Sequence, residues 1–149
     1  MENVNNEVKI YSKVISKVDD EAKQLIIDFL DNKPTCGFDL DSVYYIKNRG
    51  YVVIEFLKCD TVDPYKSHPN RYWFNKQKFI SLWNITKKLE GQLYLLNYSK
   101  HEQWKNNFRI MEVLSLDESK GIETLDIVLG NFESAKKWFS NLNKNACLQ

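Results

Sequence analysis

The stretch Gly37–Lys58, GFDLDSVYYIKNRGYVVIEFLK, decides the fold of this chain. It alternates apolar and polar residues, turns at Asn48-Arg49-Gly50 and alternates again, the pattern of two strands joined in a hairpin. Asp39 and Asp41 open the first arm. Glu55 lies deep in the second, inside the run Tyr51-Val52-Val53-Ile54-Glu55-Phe56-Leu57. A carboxylate set in an apolar strand is costly unless it is paired, hydrogen-bonded or metal-bound. Glu55 therefore requires a partner, and Asp41 on the neighbouring strand is placed to share its site. Asp39, two residues before Asp41 and on the same strand face, reads first as a solvent-facing edge position, with a second site acid as the alternative.

Upstream of the hairpin, apolar residues recur at helical spacing from Val4 through Val8, Tyr11 and Val18 to Phe29. Asp19-Asp20 splits this run as a cap, Glu21 favours the positive end of the second helix, and Asn32-Lys33-Pro34 ends it. Glu21 reads first as a capping-turn acid, with a helix carboxylate near a metal site as the functional alternative. Downstream, CDTVDPYKSHPNRYWFN reads as a long loop in which basic side chains interleave with aromatics. That composition suits a surface that holds phosphates and stacks on bases, and equally a loop pinned to the core by its rings. His68 reads as a turn residue, with base or ligand chemistry as the alternative.

A helix is expected over 75–90 on the face Phe79, Leu82, Trp83 and Leu89, closed by Gly91. A buried strand follows over 92–98. A helix between two strands implies a crossover and a parallel pair. Strands near 108–116 and 122–129, then a helix over 132–142 capped by Asn131, complete the chain. The expected fold is α/β, one domain over residues 1–149 with a central mixed sheet flanked by helices.

Composition agrees with that class. The chain has 149 residues, 43% of them hydrophobic, enough for one sizeable core. Its net charge of +1 is unevenly spread. Seven basic and ten acidic residues give −3 over 1–57, ten and four give +6 over 58–109, and four and six give −2 over 110–149. A basic middle permits an anionic partner or is simply a solvated face. Cys36, Cys59 and Cys147 are too widely spaced for a disulfide framework or a zinc signature, which suits a reducing cytoplasm. No apolar run approaches the ~20 residues that span a bilayer, and the polar N-terminus MENVNNEVK is not a secretory signal, so no membrane partner is expected.

A helix, a hairpin carrying Asp41 and then Glu55, a basic helix and a buried strand resemble, in that order, the PD-(D/E)XK nuclease superfamily. The resemblance covers about residues 21–98, with 108–142 as a C-terminal extension. It implies a restriction-endonuclease-like αβββαβ core: a helix, a three-stranded sheet, a second helix and a fourth strand. Asp41 would match the family's first aspartate and Glu55 its second acid. Gln77 or Lys78 would match polar residues on the following helix, and Glu21 the acid some members carry on the first. The family's lysine, two residues past the acid, is here Leu57. Lys58 would point away from Glu55 on a regular strand and need a β-bulge near Phe56 or Leu57 to return, whereas Lys78 would reach in from the helix.

The resemblance implies an endonuclease that hydrolyses phosphodiester bonds in DNA. Asp41, Glu55 and the Phe56 carbonyl would hold Mg²⁺ or Mn²⁺, with Lys58 or Lys78 orienting water. Lys66, His68, Arg71, Lys76, Gln77 and Lys87 would contact nucleic acid. Cleavage of both strands would call for a homodimer, to which Trp73 or Trp104 could contribute. The alternative, for which Leu57 speaks, is a catalytically inactive member of the same fold that binds nucleic acid or a protein partner. In a third reading Glu55 is paired in the core and carries no function. Two carboxylates also serve glycoside hydrolysis, but the chain's size and basic middle speak against it.

Overall fold

The computed structural model describes residues 15, 18 and 20–146. These fall into two compact units, one ending at Asp39 and one beginning at Leu40. In the first lies α1 (Glu21–Leu30), which starts where Asp19-Asp20 lead a helix to be expected and ends in left-handed backbone at Asp31. Asp20 occupies the cap position without a side-chain cap bond. The helical spacing before it lies outside the described residues, apart from Ile15 and Val18.

The second unit holds a five-stranded mixed sheet ordered β1 (Ser42–Ile46), β2 (Gly50–Lys58), β3 (Gln92–Tyr98), β4 (Phe108–Asp117), β5 (Gly121–Gly130). The β1–β2 hairpin turns through Asn48 and Gly50, both at positive φ (66° and 100°), a conformation that asparagine and glycine adopt most readily. β2 and β3 are parallel, as the intervening helix α2 (Lys76–Lys88) requires; the other neighbours are antiparallel. α3 (Phe132–Asn145) closes the chain, its first turn capped by Asn131, whose side chain accepts from Ser134 N at 3.0 Å. The α/β class with a mixed sheet between helices is the one the sequence implies. Among the described residues no helix is long and apolar enough to cross a membrane.

Alternation along the strands divides the core in two. Val53, Leu93, Leu95, Met111 and Val113 meet Phe79 and Leu82 of α2 on one face. Val52, Ile54, Tyr94, Leu96 and Ile110 meet Ala135 and Leu142 of α3 on the other. Glu55 falls on the α2 face between Val53 and Leu57.

Three expectations are corrected. β1 starts at Ser42, so Asp39 and Asp41 precede the strand instead of opening it. Only two strands, not three, precede α2 among the described residues, because the residues between α1 and Asp41 form no strand. The expected loop ends early, in a 3₁₀ helix over Pro69–Asn75 with proline in its first turn. His68 caps that helix, its Nδ1 accepting from Asn70 N at 3.2 Å. Asn70 then ties the segment to β5, accepting from Ile122 N at 2.8 Å and donating to Ile122 O at 3.3 Å. Gly121, at φ 94°, leaves room for that amide, which a Cβ would overlap.

Candidate active site

The hairpin register sets Ser42 opposite Ile54, so Asp41, one residue earlier, comes level with Glu55. There β1 has ended and offers no further strand carbonyl. The amide of Phe56 instead donates to Asp41 Oδ2 at 2.9 Å, a charge-assisted bond that fixes the carboxylate beside the end of β2. Glu55 itself is buried, 1% exposed, level with Leu95 of β3. Neither of its carboxylate oxygens has a hydrogen-bond partner of ordinary geometry among the described residues. Its counter-charge comes from α2. The ammonium of Lys78 contacts Glu55 Oε1, while the Lys78 side chain remains 47% exposed, so the cation reaches inward from the solvent side.

This environment shifts the carboxyl. Burial pushes the pKa of Glu55 up to about 7; Lys78 opposes the shift and the negative charge of Asp41 adds to it. A carboxyl that titrates near neutrality, against a lysine and a second acid, is the kind of group that changes state when a cation or a phosphate arrives.

α2 supplies a further electrostatic feature. Its first turn carries Lys76 and Lys78 and no acid, and Asn75 makes no side-chain cap bond. Cations at the positive end of a helix dipole run against its preference. The N-terminus of α2 continues directly from the 3₁₀ helix, Lys76 N–H donating to Trp73 O, so the attraction for an anion there comes from the ammonium groups.

Of the residues anticipated for chemistry, Asp41, Glu55 and Lys78 come together. Lys58 does not. The β2–β3 register runs unbroken from Val52 to Lys58, so no bulge turns it inward, and its ammonium lies 3.6 Å from Asp60. Leu57, half-buried on the α2 face, occupies the side on which the family's lysine would project. Glu21 is exposed on α1, in the other unit. Among the described residues no group of three or more His, Cys, Asp or Glu side chains is gathered as a metal cage. Two carboxylates remain as the donor set.

The anticipated nucleic-acid contacts divide. Lys66 and Gln77 are exposed. Arg71 is exposed too, but its guanidinium donates to Ser67 Oγ at 2.9 Å and lies 5.5 Å from the centre of the Tyr72 ring. Lys76 stands 3.6 Å from Glu118, and Lys87 lies 5.2 Å over the Trp83 ring. His68 serves structure: besides its cap, Nε2 meets Thr124 Oγ1 at 3.2 Å, and burial followed by the charge of Arg109 lowers its pKa. Trp73 donates its indole N–H to Glu118 O at 3.2 Å. Trp104, half-buried, lies against His101 with ring centres 4.7 Å apart.

Two residues not anticipated hold the loop that carries Lys66. Arg109 forms a two-point ion pair with Asp126 (2.7 and 3.3 Å) and reaches the carbonyls of Tyr65 and Ser67. Buried Asn97 donates to Pro64 O at 3.1 Å and Ser67 O at 2.7 Å. A polar residue ending the apolar run Leu93–Leu96 was the available signal for Asn97. The Arg109–Asp126 pairing depends on strand register and left none.

Comparison with known proteins gives no match: no family model, no curated protein and no solved structure.

Proposed function

We propose that the chain is a metal-dependent endonuclease related to the PD-(D/E)XK superfamily, hydrolysing phosphodiester bonds in DNA. In it Lys78 takes over from the lysine that Leu57 replaces. One observation carries the reading: the ammonium of Lys78 meets the buried, otherwise unpartnered carboxylate of Glu55 beside Asp41. A purely structural lysine–glutamate pair has little reason to sit at 1% exposure on one partner, next to a second acid that weakens it.

The donor set fits a small hard cation. Mg²⁺ is usually held by one or two carboxylates with substrate phosphate and water completing the octahedron, so Asp41, Glu55 and the Phe56 carbonyl suffice, and Mn²⁺ accepts the same oxygens. When bound, such an ion lowers the pKa of a coordinated water and stabilises charge on the scissile phosphate. The protein supplies the rest. Phe56 N–H orients Asp41. Glu55, its proton lost to solvent, would serve as a ligand, and Lys78, no longer needed as its counter-charge, would turn to the phosphate or the attacking water. Gln77 would face the same anion, with Lys66, Arg71 and Lys76 on neighbouring phosphates. His68 takes no part in phosphate contact, because its ring is committed to Asn70 and Thr124.

Calorimetric titration of Mg²⁺ and Mn²⁺ into wild type and Glu55→Ala, with plasmid and branched-DNA cleavage by both, tests the reading. Ion binding and cleavage by wild type, both lost in the variant, are expected. Absence of both from wild type overturns it. A second reading rests on the small donor set and on Leu57: an inactive relative that holds DNA or a protein partner. Salt-sensitive DNA retention without cleavage under any ion would favour it.

A further inference from the structure

The face of the sheet opposite Glu55 carries a cavity that the nuclease reading does not use. It lies towards the C-terminal ends of the parallel strands β2 and β3, lined there by Phe56 and Tyr98, and against the first turns of α3. Its volume is 660 Å³, within the range of about 300–1,000 Å³ usual for small-ligand sites.

The walls are rings. Phe56 and Tyr98 meet edge to face at 6.5 Å on one side, and Phe108 and Phe132 at 5.9 Å on the other, with Phe139 between helix and sheet. α3 presents Ala135 towards this space, too short to fill it. Phe132 is left 51% exposed at the mouth. A space held open by paired rings favours an apolar guest over water.

The charged groups bordering it are all cations, beside the hydroxyl-bearing residues Tyr98, Ser99 and Ser140. Lys100, Lys105 and Lys136 line it, and a lysine only donates. Lys105 is engaged with Glu102 at 2.8 Å, whereas Lys100 and Lys136 form no ion pair among the described residues. Ser99 Oγ accepts from His101 N at 3.0 Å. A hydrocarbon body matches the rings, and a single anionic head matches ammonium groups that only donate.

We propose that this cleft binds a small amphipathic anion, its hydrocarbon part between the rings of Phe56, Tyr98, Phe108 and Phe139 and its carboxylate or phosphate head on Lys100 and Lys136. The site is separate from the acid pair: Phe56 and Glu55 are successive residues of one strand and face opposite ways.

The test is calorimetric titration of the full chain with dodecanoate below its micelle concentration, with dodecanol and dodecyltrimethylammonium as uncharged and cationic counterparts of the same tail. Saturable one-to-one binding of dodecanoate is expected, weakened about tenfold or more both by loss of the anionic head and by Lys100→Glu with Lys136→Glu. Ala135→Phe should abolish it by filling the space. Should that variant fail to fold, the surface double variant still decides. Glu55→Ala should bind dodecanoate as wild type does, so failure of the nuclease reading leaves this one standing. Absence of dodecanoate binding, equal affinity for dodecanol, or a ligand-independent dimer in sedimentation that shields the cleft would each overturn the proposal. So would association with anionic vesicles in the absence of monomer binding, since the source would then be a membrane surface.

Discussion

The two faces of β2 solve different problems with alternate residues. Towards α2 the strand shows Val53, Glu55 and Leu57, and the helix answers with Phe79, Leu82 and the ammonium of Lys78. Towards α3 it shows Val52, Ile54 and Phe56, and the helix answers with Ala135, Trp138, Phe139 and Leu142. The first face encloses a charge that burial disfavours; the second leaves apolar space and keeps its cations at the edge. The difference shows how little backbone change chemistry requires: a one-residue step along a strand moves from a carboxyl titrating near neutrality to an aromatic wall.

The contrast can be broken most forcefully at Lys78. With Lys78→Met, cleavage should fall by about 10²–10³, the usual effect of removing one group that stabilises developing charge. The carboxyl of Glu55, losing the cation that opposes its shift, should titrate above its present value of about 7 in carbon-detected NMR. Unchanged cleavage would return Lys78 to a structural role.

Next in size is a pH effect on folding. Glu55 has its pKa raised to about 7 in the folded state from an ordinary 4.5. Between those values the folded form binds the extra proton, so the stability associated with it is present below 4.5 and is lost as pH rises to about 7. Glu55→Gln removes the penalty. Urea unfolding should show the variant gaining roughly 2–3 kcal/mol over wild type at pH 8, the gain vanishing near pH 4.5. A constant difference across that range would mean Glu55 is not strained by burial. The same linkage predicts that Mg²⁺ affinity climbs with pH through neutrality and levels above it.

On the opposite face, Phe139→Ala removes a half-buried ring packed edge-on to Tyr44 at 5.6 Å. It should cost roughly 1–3 kcal/mol in unfolding while leaving Mg²⁺ binding unchanged. Altered metal affinity would show that the two faces are coupled. The smallest effect belongs to Lys58→Ala, whose exposed pair with Asp60 is worth less than about 1 kcal/mol. Cleavage should survive it, and a large loss would move the catalytic lysine back to the strand.

Much of the framework was legible in advance because it depends on neighbours in sequence. Periodicity placed α2, β3 and α3 within a few residues, and the helix between two apolar strands made β2 and β3 parallel. Glu55 stood out as a carboxylate without a local reason. The errors fall where the deciding contact is distant. Asp41 looked like a strand residue, yet it ends the strand by bonding Phe56 N through its side chain. His68 carried a functional alternative, yet its ring is taken up by Asn70 and by Thr124, 56 residues away.

The lysine shows the division most plainly. Strand alternation by itself determined that Glu55 and Leu57 share a face and that Lys58 leaves it, because Cβ direction along a strand is a local property. Which lysine meets Glu55 was decided only in three dimensions. Phe79 and Leu82 seat α2 against Val53, Leu93 and Leu95, and that seating fixes where the first turn, and Lys78 with it, crosses the end of β2. The sequence determined that a buried acid needed a cation; packing of the helix on the sheet selected the one it received.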